Sequence, residues 1–169
     1  MRWLFNLVLF VFSFGFNFGL LDKLELNYVK ADFFLVIIIC LDVLRNETES
    51  ILFGFFWGLT RDIFFSEKIC FYAAIYAVTG YLFCKPFKYF YRENFFIPMI
   101  LVFFATIFFE ITGSVFYYGF SFYKYLFYVL NKIIFPKAIY NVVLILFFYP
   151  ILYYINKKVE TFENKFIKR

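Results

Sequence analysis

At 169 residues the chain has the length of one ordinary domain. Hydrophobic residues make up 64% of it, against roughly 45–50% in a soluble domain, and the mean hydropathy is +0.79. This surplus excludes a water-soluble globule, and the net charge of +5, carried beside apolar runs, speaks for anionic lipid head groups rather than nucleic acid.

The first apolar run covers residues 3–21 behind Met1 and Arg2. Its length and the lack of a small-x-small cleavage site predict a retained membrane span, not a cleaved signal. Gly15 and Gly19 form a GxxxG pair there, a candidate close-packing face. A polar stretch, 22–30, follows.

The second run, 31–44, is short for a span and has Asp32 and Asp42 near its ends. Asp42 and Arg45 stand three apart and are expected to pair on one helix face. After the turn 45–50 comes a third short run, 51–65, interrupted by Arg61 and Asp62. Such helices are tolerated where tilted or covered by protein. Gly54, Gly58 and Arg61 form one stripe on the third run. The fourth run, 69–84, carries Ala73, Ala77, Gly80 and Cys84 at the i, i+4, i+7, i+11 positions of one helix face. Two small-residue faces joined by a short loop predict a tightly packed antiparallel hairpin.

Residues 85–94 form a basic-aromatic segment suited to the head-group layer. The fifth run, 95–120, has Pro98 near its start and Glu110 deep inside. Residues 121–137 alternate apolar positions with Lys124, Asn131, Lys132 and Lys137, and are expected to lie on the membrane surface as an amphipathic segment. The sixth run is 138–155, and a basic tail, 156–169, follows. Together these predict an all-α integral membrane protein, one compact domain over 1–169 with about six transmembrane helices. With that count, ten of the seventeen Lys and Arg residues fall on the side of the termini, which places both termini in the cytoplasm.

Histidine is absent and the three cysteines, Cys40, Cys70 and Cys84, form no CxxC pair. That removes the commonest general base and the usual zinc ligands, and the cysteines read as small apolar fillers. No metal, no cofactor and no catalytic residue is expected. Asp62 is suited to cap a following helix or to pair with a lysine. Glu110, beside Thr112, Gly113 and Ser114, must be protonated or paired in hydrocarbon. Proton relay is one role for such a carboxyl. An interior hydrogen bond locking helices together fits better, because neither His nor a second central carboxylate accompanies it.

The segment GFFWGLTRDIFFSEKICFYAAIYAVTGYL (54–82) resembles the signature of the MreD family of rod-shape-determining proteins: a G-F-x-x-G-L-x-x-D core, a short spacer and a small-residue helix. Gly54, Phe55, Gly58, Leu59 and Asp62 are the matching positions. KADFFLVIIICLDVL resembles the start of the family's second helix, with Asp32 kept and Ala31 in place of the usual proline. PKAIYNVVLILFFYPIL (136–152) is similar to its last helix, with Pro136, Tyr140 and Asn141 in matching places. Where the family has glycine after the Asp-containing turn, this chain has Cys70.

The resemblance implies an inner-membrane component of the elongasome, which directs lateral peptidoglycan synthesis and maintains rod shape. It implies binding to the scaffold MreC through that protein's membrane helix, and action with MreB, RodA and its transpeptidase partner, beside membrane lipid. It also implies a fold similar to the six-helix S components of energy-coupling-factor transporters. On this reading Gly54, Gly58, Arg61, Asp62, Ala73, Ala77 and Gly80 serve helix packing or partner binding, and Asp32, Glu110 and Asn141 are buried polar groups. The alternative is a small-molecule-binding S component. Its usual AxxxA docking face is missing from the first run, which offers only Gly15 and Gly19. An intramembrane enzyme using Glu110 or Asp62 is the third reading.

Overall fold

The computed structural model describes residues 2–20, 29–45, 47–65, 70–84, 95–119 and 122–167. Its elements are helices: α1 (Arg2–Gly15) running into a π-helical segment (Phe16–Leu20), α2 (Phe33–Leu44), α3 (Glu47–Phe65), α4 (Phe71–Cys84), α5 (Phe96–Tyr118), α6 (Phe122–Val129), a second π-helical segment (Leu130–Ile134) and α7 (Phe135–Ile167). The basic-aromatic segment 85–94, the Ser66, Glu67 and Lys68 spacer and most of the polar stretch 22–30 lie outside the described residues.

α2 is the hub. Its sequence, FFLVIIICLDVL, is apolar on every side, and a helix without a polar face must be enclosed. All but one of its residues are buried, with α3, α4, α5 and α7 packed around it. Twelve residues rise about 18 Å, well short of the roughly 30 Å hydrocarbon layer. The run looked marginal as a span because its partners are other helices, not lipid. Trp57 of α3 is fully buried beside it, sandwiched between Phe10 and Phe34 with ring centroids 3.9 Å away on each side.

α5 (Phe96–Tyr118) and the continuous helix Leu126–Thr161 are long and apolar enough to cross a membrane. Their outer faces expose Phe96, Phe104, Phe116, Phe147 and Ile151. The shorter apolar helices are Phe5–Gly15, Phe33–Leu44 and Phe71–Phe83.

Several expected boundaries shift. The third helix starts at Glu47, not at 51, because the polar turn winds into its first turn and Glu49 pairs with Arg45 at i,i+4, 2.7 Å apart. Segment 121–137 is not separate from the last helix. It is helical from Phe122 and continues through Leu130–Ile134 into α7, with Val129 and Ile134 buried against Ile107 and Ile111 of α5. The expected tail likewise continues α7 as far as Ile167. Gly15 and Gly19 form no tight contact: a Cβ on either would meet nothing within 4 Å among the described residues.

Cys70 is not a core filler. It is exposed and holds φ +66°, the left-handed region where a side chain costs about 1–2 kcal/mol. The turn keeps glycine's geometry although cysteine occupies it, so Cys70→Gly is expected to raise stability by about 1 kcal/mol. Thermal unfolding in detergent micelles reads this directly.

Candidate functional site

The hairpin of α3 and α4 is where the signature residues meet. A Cβ on Gly58 would stand 2.2 Å from Ala73 Cα and 2.5 Å from the Tyr72 carbonyl oxygen. One on Gly54 would stand 2.9 Å from the Tyr76 carbonyl oxygen. The two backbones therefore touch, as hydrogen-sized side chains permit. Ala73 and Gly80 are buried and Ala77 is half-buried. Gly80 lies against Ser50 and Ile38, where a Cβ would come within 3.0 Å of Ser50 Oγ.

Asp62 completes this junction. It is buried and sits in the last turns of α3, yet its carboxylate caps α4. Oδ1 accepts from the Tyr72 N–H and Oδ2 from the Ala73 N–H, each at 3.0 Å. These are orphan donors of a helix start, and the negative charge suits the positive end of the dipole. Cys70, just before that start, has no side-chain oxygen to do the same. Of the two roles open to Asp62 from sequence, capping a following helix or pairing with a lysine, these hydrogen bonds are those of a cap, supplied from the preceding helix.

Asp32 is the centre of a second cluster. It is the N-cap of α2 and accepts from the Leu35 N–H at 3.3 Å. Its Oδ2 accepts from the Tyr76 hydroxyl at 2.5 Å and from Arg61 at 3.2 Å. Arg61 also donates to the Tyr76 oxygen at 2.7 Å, and its guanidinium lies 4.1 Å from the Tyr72 ring centroid, a cation–π contact. Asn141 of α7 closes the group. Its Oδ1 accepts from the Asp32 N–H at 2.8 Å, and its Nδ2 donates to Thr106 Oγ at 2.9 Å. Asp32, Arg61, Tyr76, Thr106 and Asn141 thus tie α2, α3, α4, α5 and α7 at one end of the bundle.

Glu110 pairs with Lys137, Nζ to Oε1 at 2.6 Å, both side chains mostly buried. This joins α5 to the first turn of α7, so the helix-locking role fits and the expected surface position of Lys137 does not. Glu110→Gln leaves that ammonium without its counter-ion and is expected to cost about 2 kcal/mol. Adding Lys137→Met should recover most of the loss in a double-mutant cycle of unfolding free energies.

At the opposite end Arg45 plays the corresponding part. Its guanidinium donates to Asn156 Oδ1, Asn6 Oδ1 and Glu49 Oε2, each at 2.7 Å. Asn156 Nδ2 in turn donates to the Leu44 carbonyl at the end of α2. Asp42, expected to pair with Arg45, instead accepts from Ser50 Oγ. Tyr76, Thr106, Asn6 and Asn156 were not among the residues singled out by sequence. Tyr76 alone had a local signal, since it stands between Ala73 and Gly80 on the same stripe.

These polar groups bridge helices, and their chemistry is that of tethers. Among the described residues no group of three or more His, Cys, Asp or Glu could hold a metal ion. Comparison with characterised proteins and with solved structures gives no significant match. The sequence model of one family does match, described as MreD, rod shape-determining protein MreD, over residues 1–159. The glycine-paired hairpin, the Asp62 cap and a match over nearly the whole length lead to one assignment: the chain belongs to the MreD family of rod shape-determining proteins.

Proposed function

We propose that this protein is a non-catalytic membrane scaffold of the cell-elongation machinery, acting by binding the membrane helix of MreC. On this reading α1, α3, α4, α5, α7 and the shorter, enclosed α2 make six crossings, and both termini are cytoplasmic. The ends of α2 then lie within the layer, the Asp32 cluster toward its outer side and the Arg45 cluster toward its inner side. MreB, RodA and its transpeptidase partner join through the same assembly, which supports lateral peptidoglycan synthesis.

The observation that carries this reading is where the signature residues go. Gly54, Gly58 and Asp62 are used in fixing α3 to α4, which is what a rigid platform needs and what a turnover site does not. The exposed apolar faces of the helices, such as Leu7, Val8 and Val11 on α1, leave area for a partner's helix beside lipid.

The test is purification of the tagged protein from native membranes in mild detergent, with mass spectrometry of what accompanies it. MreC and the elongation synthase are expected. Recovery of transporter ATPase and coupling subunits would replace the scaffold with a substrate-binding S component. Reporter fusions at each terminus check the orientation, and a periplasmic signal at either end contradicts it.

A further inference from the structure

The last helix carries an outward face that changes character toward its C-terminal part. Phe147, Ile151, Tyr154 and Lys158 follow one another at i, i+4, i+7 and i+11, the spacing of a single helix face, and all four are exposed. The first two are apolar, the third is amphipathic and the fourth is charged. Lys157 stands beside Lys158 and is exposed as well. An apolar stripe that ends in a tyrosine and then an ammonium follows the order met along a phospholipid, from acyl chain through the interface to the phosphate.

Both lysines are available to an anion. Neither is in an ion pair among the described residues. Each lies instead over a ring, Lys157 Nζ 5.9 Å from the centroid of Tyr153 and Lys158 Nζ 5.1 Å from that of Tyr154, contacts that are weak at exposed sites. The carboxylate nearest in sequence, Glu160, accepts from the buried Asn156 at 3.3 Å and is turned toward the bundle.

The other end of the same helix gives the depth. Lys132 is exposed and lies 6.0 Å from the ring centroid of Tyr128, again a tyrosine and a lysine four apart. Lys157 follows Lys132 by 25 residues, a rise of roughly 37 Å. The hydrocarbon layer is roughly 30 Å thick and the bilayer with its head groups roughly 40–45 Å. Where this helix crosses, both lysines therefore reach head groups, one in each leaflet. The exposed residues between them, such as Phe135, Ile139, Val143, Phe147 and Ile151, are apolar or tyrosine.

We propose that Lys157 and Lys158 hold the phosphate of an anionic phospholipid, with its acyl chains along Phe147 and Ile151 and its glycerol beside Tyr153 and Tyr154. Two unpaired ammoniums select an anionic head group over a zwitterionic one, whose own cation would add a third like charge. The orientation given above puts this lipid in the cytoplasmic leaflet. The site itself does not depend on MreC binding, and the pull-down above does not test it.

Ile151→Trp in the full chain supplies a local reporter, about 10 Å along the helix from Lys158 and at an exposed position. The protein is reconstituted in phosphatidylcholine vesicles that contain phosphatidylglycerol brominated on its acyl chains, and then with the bromines on phosphatidylcholine instead. Quenching is read as the difference from the chain without the reporter, which has Trp3 and Trp57 of its own. Phosphatidylglycerol should be preferred about thirtyfold at this position, about fivefold for each lysine. Lys157→Gln with Lys158→Gln should bring the preference close to one at an unchanged unfolding temperature, and high salt should weaken it in the parent. Equal quenching by the two brominated lipids would leave the lysines to an acidic protein segment. A preference unchanged in the double glutamine variant would move the site elsewhere on the chain, and either result overturns the proposal.

Discussion

Asp32→Ala is expected to cost about 4 kcal/mol, the largest effect of any single substitution in this bundle. Asp32 is buried and answers Arg61 and Tyr76 while capping α2. Its removal leaves a largely covered guanidinium, its side chain 26% exposed, with a phenol and aromatic faces as its remaining support. Breaking one half of a buried pair costs about 3–5 kcal/mol, whereas replacing both halves with apolar groups is often neutral. Asp32→Ala combined with Arg61→Met should therefore be more stable than Asp32→Ala alone. Unfolding midpoints in detergent, with rod-shape complementation beside them, test this. A double variant no better than the single one would mean that Arg61 is not held by Asp32.

Gly58→Ala should come close behind, at about 3 kcal/mol or more. The added methyl would sit 2.2 Å from Ala73 Cα and 2.3 Å from its nitrogen, and backbone atoms cannot rotate aside. α3 and α4 must part. The same movement pulls Tyr72 and Ala73 from Asp62, so the steric cost and the loss of the cap come together. Gly113→Ala is the control. A Cβ there meets nothing within 4 Å among the described residues, and inside α5 alanine should be neutral or stabilising by roughly 0.5–1 kcal/mol. Rod shape lost in Gly58→Ala and kept in Gly113→Ala is the expected pair of outcomes. A Gly58→Ala protein that unfolds and complements normally would remove the packing argument.

How much could be read in advance depended on how far apart the partners lie in sequence. The α3–α4 hairpin was legible, because Gly54, Gly58, Ala73 and Gly80 repeat at helical spacing and only a short spacer separates them. That Asp62 would cap or pair locally was legible for the same reason, its donors being ten and eleven residues away, but which of the two it does was not. Glu110 could be recognised as needing a partner, but Lys137 is 27 residues away. That pairing is set by the register of α5 against α7, which no local pattern encodes. Arg45 misled in the opposite direction. Asp42 was near in sequence, while Asn6 and Asn156 are reached only once α1 and α7 are in place. The cut between an amphipathic segment and the last span failed because Lys132 and Lys137 read as the polar positions of a surface segment, whereas Lys137 is a mostly buried partner of Glu110.

The central helix has one more property. α2 is moored at both extremities: at Asp32 by Arg61, Tyr76 and Asn141, and at Arg45 by Asn6, Glu49 and Asn156. Deleting or inserting one residue between them would turn one mooring about 100° relative to the other and shift it about 1.5 Å. Among the described residues α2 is enclosed except at the half-buried Val43, so no free side can absorb that error. Exchange of one aliphatic residue for another can be accommodated along this stretch, but a change in its length cannot. Divergence in this helix is thereby expected to be confined to substitution, with the number of residues from Asp32 to Arg45 held constant.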